Sequence, residues 1–128
     1  MLNKSNIVLR NLQNIRHVLS LILERSALYS DFDEMLKSHS GMMCLDAICM
    51  NLITLGEMVK NLDKLTEGLF LINYPEIYWQ GVMRMRDKIA HHYFEIDTEI
   101  VERTVKEDIP MMVSIVDKII IDVSANQL

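Results

Sequence analysis

A chain of 128 residues reads as one domain, residues 1–128, long enough to bury a core without disulfide or metal staples. Half of its residues are hydrophobic, yet it holds only two prolines and four glycines, which suits long helices and argues against a turn-rich β fold. The formal charge of −5 argues against nucleic-acid binding over the whole surface, because such domains are usually basic; any such contact has to be local.

The first segment, about Asn3 to Tyr29, carries Ile7, Leu12, Ile15, Leu19, Ile22 and Leu23 at helical spacing. Asp31, Asp33 and Glu34 then favour a short helix, since acids suit the positive N-terminal end of the dipole. Ser40–Gly41 reads as a break. A second long helix is expected from Met42 to Leu65, with Leu45, Ile48, Leu52, Leu55, Val59 and Leu62 on one stripe. Cys44 and Cys49 diverge by ~140° on that helix, too far in direction to bridge, so both are expected as buried or partly buried thiols. Gly56, unfavourable inside a helix by ~1 kcal/mol relative to Ala, suggests a close helix crossing, and Glu57 beside it can face the next helix.

Glu67–Gly68 ends the second helix, and a loop through Tyr74–Pro75 leads to a third over Glu76 to His92. Asp97–Thr98 reads as the N-cap of a fourth, continuing to about Val123 with a kink or restart near Asp108 forced by Pro110. The expected fold is therefore all-α: an antiparallel up-and-down bundle of four main helices plus a short extra one. The wide apolar stripes leave surface that a second copy could cover about a two-fold axis. The N-terminus carries no basic, apolar leader, and there is no uncharged apolar run of about 18 residues. Secretion and membrane spanning are not expected; a reducing cytoplasm is.

The chemistry concentrates in Arg86-Asp87-Lys88-Ile89-Ala90-His91-His92-Tyr93. With Ile89 at zero on a wheel of ~100° per residue, Tyr78, Val82, Met85 and Tyr93 lie within ~40° and form the expected core face, with Trp79 a packing anchor at its edge. Arg86 and His91 flank a second face shared with Met83, Asp87 and Ala90, a mixture that suits a cleft or subunit seam. Asp87 stands one turn before His91 and can orient its imidazole. Arg84, Lys88 and His92 form a further basic row, so the charge is locally inverted in an acidic protein and favours an anionic ligand. Arg supplies a fixed planar fork for phosphate, and His exchanges protons near neutrality. The adjacent His91–His92 pair points ~100° apart and no His-Glu-x-x-His spacing exists, so no metal or cofactor is expected. A lone Arg or His on a helix is more often solvated surface, as expected for His17 and His39, and Tyr93 by position is a core tyrosine with its hydroxyl at the rim.

In its Arg86-x4-His91-x-Tyr93 motif the sequence resembles the HEPN superfamily, and within it the HepT-like toxins that accompany a minimal nucleotidyltransferase antitoxin. Gly56–Glu57, Tyr74–Pro75, Trp79, Phe94-Glu95-Ile96-Asp97 and Pro110 stand around the motif in the family's order. The resemblance implies a homodimer whose Arg and His residues converge in a cleft, acting as a metal-independent endoribonuclease. Arg86 and His91 would be catalytic, Asp87 supporting (the family more often has Asn there), and Arg84, Lys88 and His92 would contact RNA phosphates. It further implies that the antitoxin transfers AMP onto Tyr93 and so blocks the site. The competing reading is a helical partner that binds a nucleotidyltransferase and its nucleotide without chemistry of its own; a purely structural bundle is the third.

Overall fold

The computed structural model describes residues 4–91 and 98–126, and every regular element among them is helical. In chain order these are α1 (Lys4–Ser26), α2 (Phe32–Met35), α3 (His39–Leu65), a single 3-10 turn (Leu71–Asn73), α4 (Trp79–His91), α5 (Thr98–Arg103), a π turn (Thr104–Asp108) and α6 (Ile109–Asn126). α1 lies between α3 and α6, and α4 packs on α3. Cross-links show the antiparallel sense. Tyr74 Oη donates to Asp122 Oδ2 at 3.0 Å, Lys118 Nζ stands 3.5 Å from Glu76 Oε2, and the main chain of Phe32 donates to Glu102 Oε2 at 2.8 Å.

The apolar stripes form the core. Leu12, Ile15, Leu19 and Ile22 of α1 meet Ile48, Leu52, Leu55, Val59 and Leu62 of α3, with Val116, Ile119 and Val123 of α6. Burying one such side chain stabilises by roughly 1.5–3 kcal/mol. Ile7, Leu23 and Leu45, at the ends of their stripes, are only partly buried. α3 has the length and composition to cross a bilayer, but here its stripe is buried between α1 and α4 as a bundle helix. Cys49 is buried and Cys44 partly so, both as free thiols; His17 and His39 are exposed.

Ser40–Gly41 is not a break. α3 begins earlier than its apolar stripe, at His39, with Ser38 as N-cap accepting from Gly41 N–H at 2.9 Å. The glycine is there for space: a Cβ on Gly41 would lie 2.2 Å from the carbonyl oxygen of Met35, at the end of α2. α2 itself starts as its acids suggest, with Asp31 accepting from Glu34 N–H. Glu67 and Gly68, both at positive φ, end α3.

The fourth helix divides where Pro110 stands. Ile109 N–H bonds to the carbonyl of Thr104, five residues back, which opens one wide turn. In a regular helix the Pro110 ring would strike the carbonyl of Lys106, and the π turn relieves that contact. Val101, Val105, Ile109 and Met112 stay buried across it.

Candidate active site

α4 starts three residues later than its sequence pattern suggests, because Pro75–Ile77 turn into it. Trp79 pins the entry: its ring is buried and its Nε1 donates to the Tyr74 carbonyl at 2.8 Å. Tyr74 is itself held by Asp122, and burial followed by that acidic partner pushes its phenol up to about 12. Val82 and Ile89 face the core and Met85 is partly buried. Tyr78 departs from the core face expected of it. It precedes the helix and is 67% exposed, because the unwound entry turns its ring out of the stripe. Gly81 leaves room for that ring, since a Cβ there would lie 2.7 Å from Tyr78 Cδ2. Arg84 Nη1 donates to Tyr78 Oη at 3.0 Å, with the guanidinium 6.0 Å from the ring centroid.

The motif occupies the second half of α4. Met83 is partly buried and Asp87 exposed, one turn apart. Arg86 and His91 are five residues apart on the helix, so their backbone positions are separated by ~7.5 Å along the axis and ~140° around it. Arg86, Lys88 and His91 are described by backbone alone, and His92 and Tyr93 lie outside the described residues. Arg84 of the basic row is exposed. Glu57 is partly buried on α3, the helix against which α4 packs, and Gly56 is buried beside it.

One feature escaped the sequence pattern. A cavity of about 440 Å³ opens between the start of α4 and the π turn, floored by Leu55. Its lining mixes Val82, Met85 and Met112 with the polar groups of Tyr78, Thr104 and Asp108. The signal for it was Pro110 within an otherwise helical stripe, since the wide turn that proline favours carries Thr104 and Asp108.

The described residues thus form an all-helical bundle with an Arg-x4-His motif on α4. The chain belongs to the HepT-like ribonuclease family: that family's model, described as Ribonuclease HepT-like, matches residues 15–119. Among curated relatives it is 37% identical over 92 residues to a protein of Methanocaldococcus jannaschii named as a candidate RNase, covering 72% of this chain and 70% of that one. It is 41% identical over 66 residues to a Thermococcus cleftensis protein named as a candidate ribonuclease HepT, covering 52% and 56%. A third relative, from Caldanaerobacter subterraneus and also named as a candidate RNase, is 34% identical over 64 residues, covering 50% and 54%. No solved structure matches.

Proposed function

We propose that this protein is the toxin of a toxin–antitoxin pair, a metal-independent endoribonuclease whose active site forms between two copies. The observation that carries the reading is the placement of Arg86 and His91 on α4. The two positions diverge by ~140° around a face that holds the exposed Asp87 and the half-buried Met83. One helix does not aim both groups at one phosphate, whereas two helices related by a two-fold axis bring an Arg from one and a His from the other to a common cleft. The positive sign of this segment in an acidic chain favours the phosphate backbone.

In the reaction the 2′-oxygen of a ribose attacks the adjacent phosphorus, His91 taking the 2′-hydroxyl proton. The bond from phosphorus to the 5′-oxygen breaks, and that oxygen leaves with a proton supplied by the partner's His91. The products are a 2′,3′-cyclic phosphate and a 5′-hydroxyl end. Arg86 neutralises charge that builds on the non-bridging oxygens, and Asp87 orients His91. Arg84, Lys88 and His92 hold flanking phosphates. The nucleotidyltransferase antitoxin silences the toxin at Tyr93, whose phenolic oxygen attacks the α-phosphorus of ATP and expels pyrophosphate. The adenylate then fills the phosphate site with a bulky anion.

The test is cleavage of total RNA and tRNA in EDTA by antitoxin-free protein, beside Arg86→Ala and His91→Ala. Wild-type cutting with losses of about 10²–10⁴-fold in both variants is expected. No cutting by a folded, unmodified dimer would instead make the protein a nucleotidyltransferase-binding partner. Mass spectrometry after co-expression with the antitoxin is expected to find AMP on Tyr93; an unmodified tyrosine in a silenced complex refutes that step.

A further inference from the structure

The cavity between α4 and the π turn is not used by phosphate chemistry, and its composition opposes an anion. Its walls are apolar, and the polar side chains at its edge include two carboxylates, Glu76 and Asp108. Glu76 is engaged by Lys118 at 3.5 Å. The partly buried Thr104 hydroxyl and the exposed Asp108 carboxylate have no side-chain partner among the described residues. Both stand on the π turn, a distortion that is found often at functional sites. At about 440 Å³ the cavity falls within the range of sites for small planar ligands, apolar walls with a few placed polar groups.

Its position on α4 links it to the phosphate contacts. On the helical wheel Gly81 and Met85, which line the cavity, lie on the same side of position 88, at ~20° and ~60° from it. Position 84 follows at ~60° from Gly81. Positions 84 and 88 therefore border the cavity-lining side of α4. Arg84 is exposed there, bonded to the hydroxyl of Tyr78 at the cavity's lip. Anionic backbone on the row and an uncharged, N–H-bearing ring inside the acidic, apolar slot satisfy both halves of this arrangement.

We propose that this cavity is a base-recognition site for guanine in the RNA substrate, an inference that rests on the ribonuclease reading. Guanine presents N1–H and the 2-amino group side by side, a pair of donors that matches the two oxygens of one carboxylate. Adenine and cytosine offer one amino group beside an acceptor nitrogen, which the Asp108 carboxylate repels. Uracil's N–H is flanked by two carbonyls, which it repels as well. Asp108 takes the guanine edge, the Thr104 hydroxyl donates to O6, and Val82, Met85 and Met112 cover the ring faces.

The test is titration of the His91→Ala protein with 5′-GMP, 5′-IMP, 5′-AMP and 5′-UMP, which share the phosphate and differ in the base. GMP is expected to bind at least tenfold more tightly than AMP or UMP, with IMP, which lacks the 2-amino group, between them. Asp108→Asn, a change on the surface, is expected to erase the GMP preference, weakening GMP and easing the repulsion of AMP and UMP. Thr104→Val is expected to weaken GMP and IMP, which share O6, and to leave AMP unchanged. Equal binding of the four nucleotides, or a GMP preference that survives Asp108→Asn, overturns the assignment. Nucleotide binding needs no turnover, so selective GMP binding by a protein that cuts no RNA would sink the ribonuclease reading and leave the guanine site standing. RNA cutting without a GMP preference would do the reverse.

Discussion

Gly41 shows how much one missing methyl group can decide. Its backbone meets the last carbonyl of α2, so any Cβ would strike main-chain atoms of Met35, which cannot rotate away. Gly41→Ala is expected to destabilise by about 1–3 kcal/mol, as overpacking does, read as a lower denaturation midpoint with an unchanged slope. The two thiols make a second prediction. Burial and then the Asp46 charge push Cys49 up from its ordinary 9.0 to about 11. Cys44 is raised by burial and opposed by Arg25. A thiol whose pKa is higher folded than unfolded contributes stability that is intact below about 9 and is lost as pH rises towards 11. Stability should therefore fall between these values, and Cys49→Ala should flatten that fall. At pH 8 an alkylating reagent is expected to label Cys44 first and to reach Cys49 only on unfolding.

At the scale of an element, the π turn before Pro110 stores one residue more than a regular helix needs. The extra residue is held by burial on both sides: Val101 and Val105 before the step, Ile109 and Met112 after it. Deleting the exposed Glu107 together with Pro110→Ala removes both the surplus residue and the ring that opposes a regular turn. The shortened helix is expected to fold with undiminished helical signal and a Tm within a few degrees of the wild type, while the guanine preference disappears with the remodelled cavity. Loss of folding instead would mean that the wide turn itself supports the bundle. α4 poses the opposite case. Its thirteen residues are fastened at the start by Trp79 and along the length by Val82 and Ile89, both turned into the core.

At the scale of the whole molecule, the bundle buries one contiguous core and leaves apolar side chains outside it, among them Met43, Met50, Tyr78 and Met111. On the proposed reading, a catalytic cleft shared between two copies would couple activity to assembly. Specific ribonuclease activity is expected to fall on dilution in step with dimer dissociation measured by sedimentation, and a tethered two-copy chain should resist that fall. Activity that stays proportional to protein through dissociation would place the whole site within one copy. Core integrity is a separate matter: Leu19→Ala, at a fully buried position of α1, should cost about 2–5 kcal/mol without altering which RNA bases are preferred.

The periodic apolar positions determined the helices and which face of each turns inward, because spacing of three and four residues is a property of the chain alone. The motif Arg86-x4-His91 and its basic surroundings were equally legible, since they depend on residue type and order within one helix. Tertiary contact decided the rest. Ser40–Gly41 reads as a break until the approach of α2 reveals why a glycine stands inside the first turn of α3. Tyr78 fits the core stripe until the entry through Pro75 unwinds the start of α4. The cavity of Thr104 and Asp108 is lined by three segments, Leu55 of α3, the start of α4 and the π turn with the start of α6, each some twenty residues from the next in the chain, and no local pattern relates them. Periodicity is fixed by the geometry of one backbone, whereas close approach and cavities arise where two backbones meet.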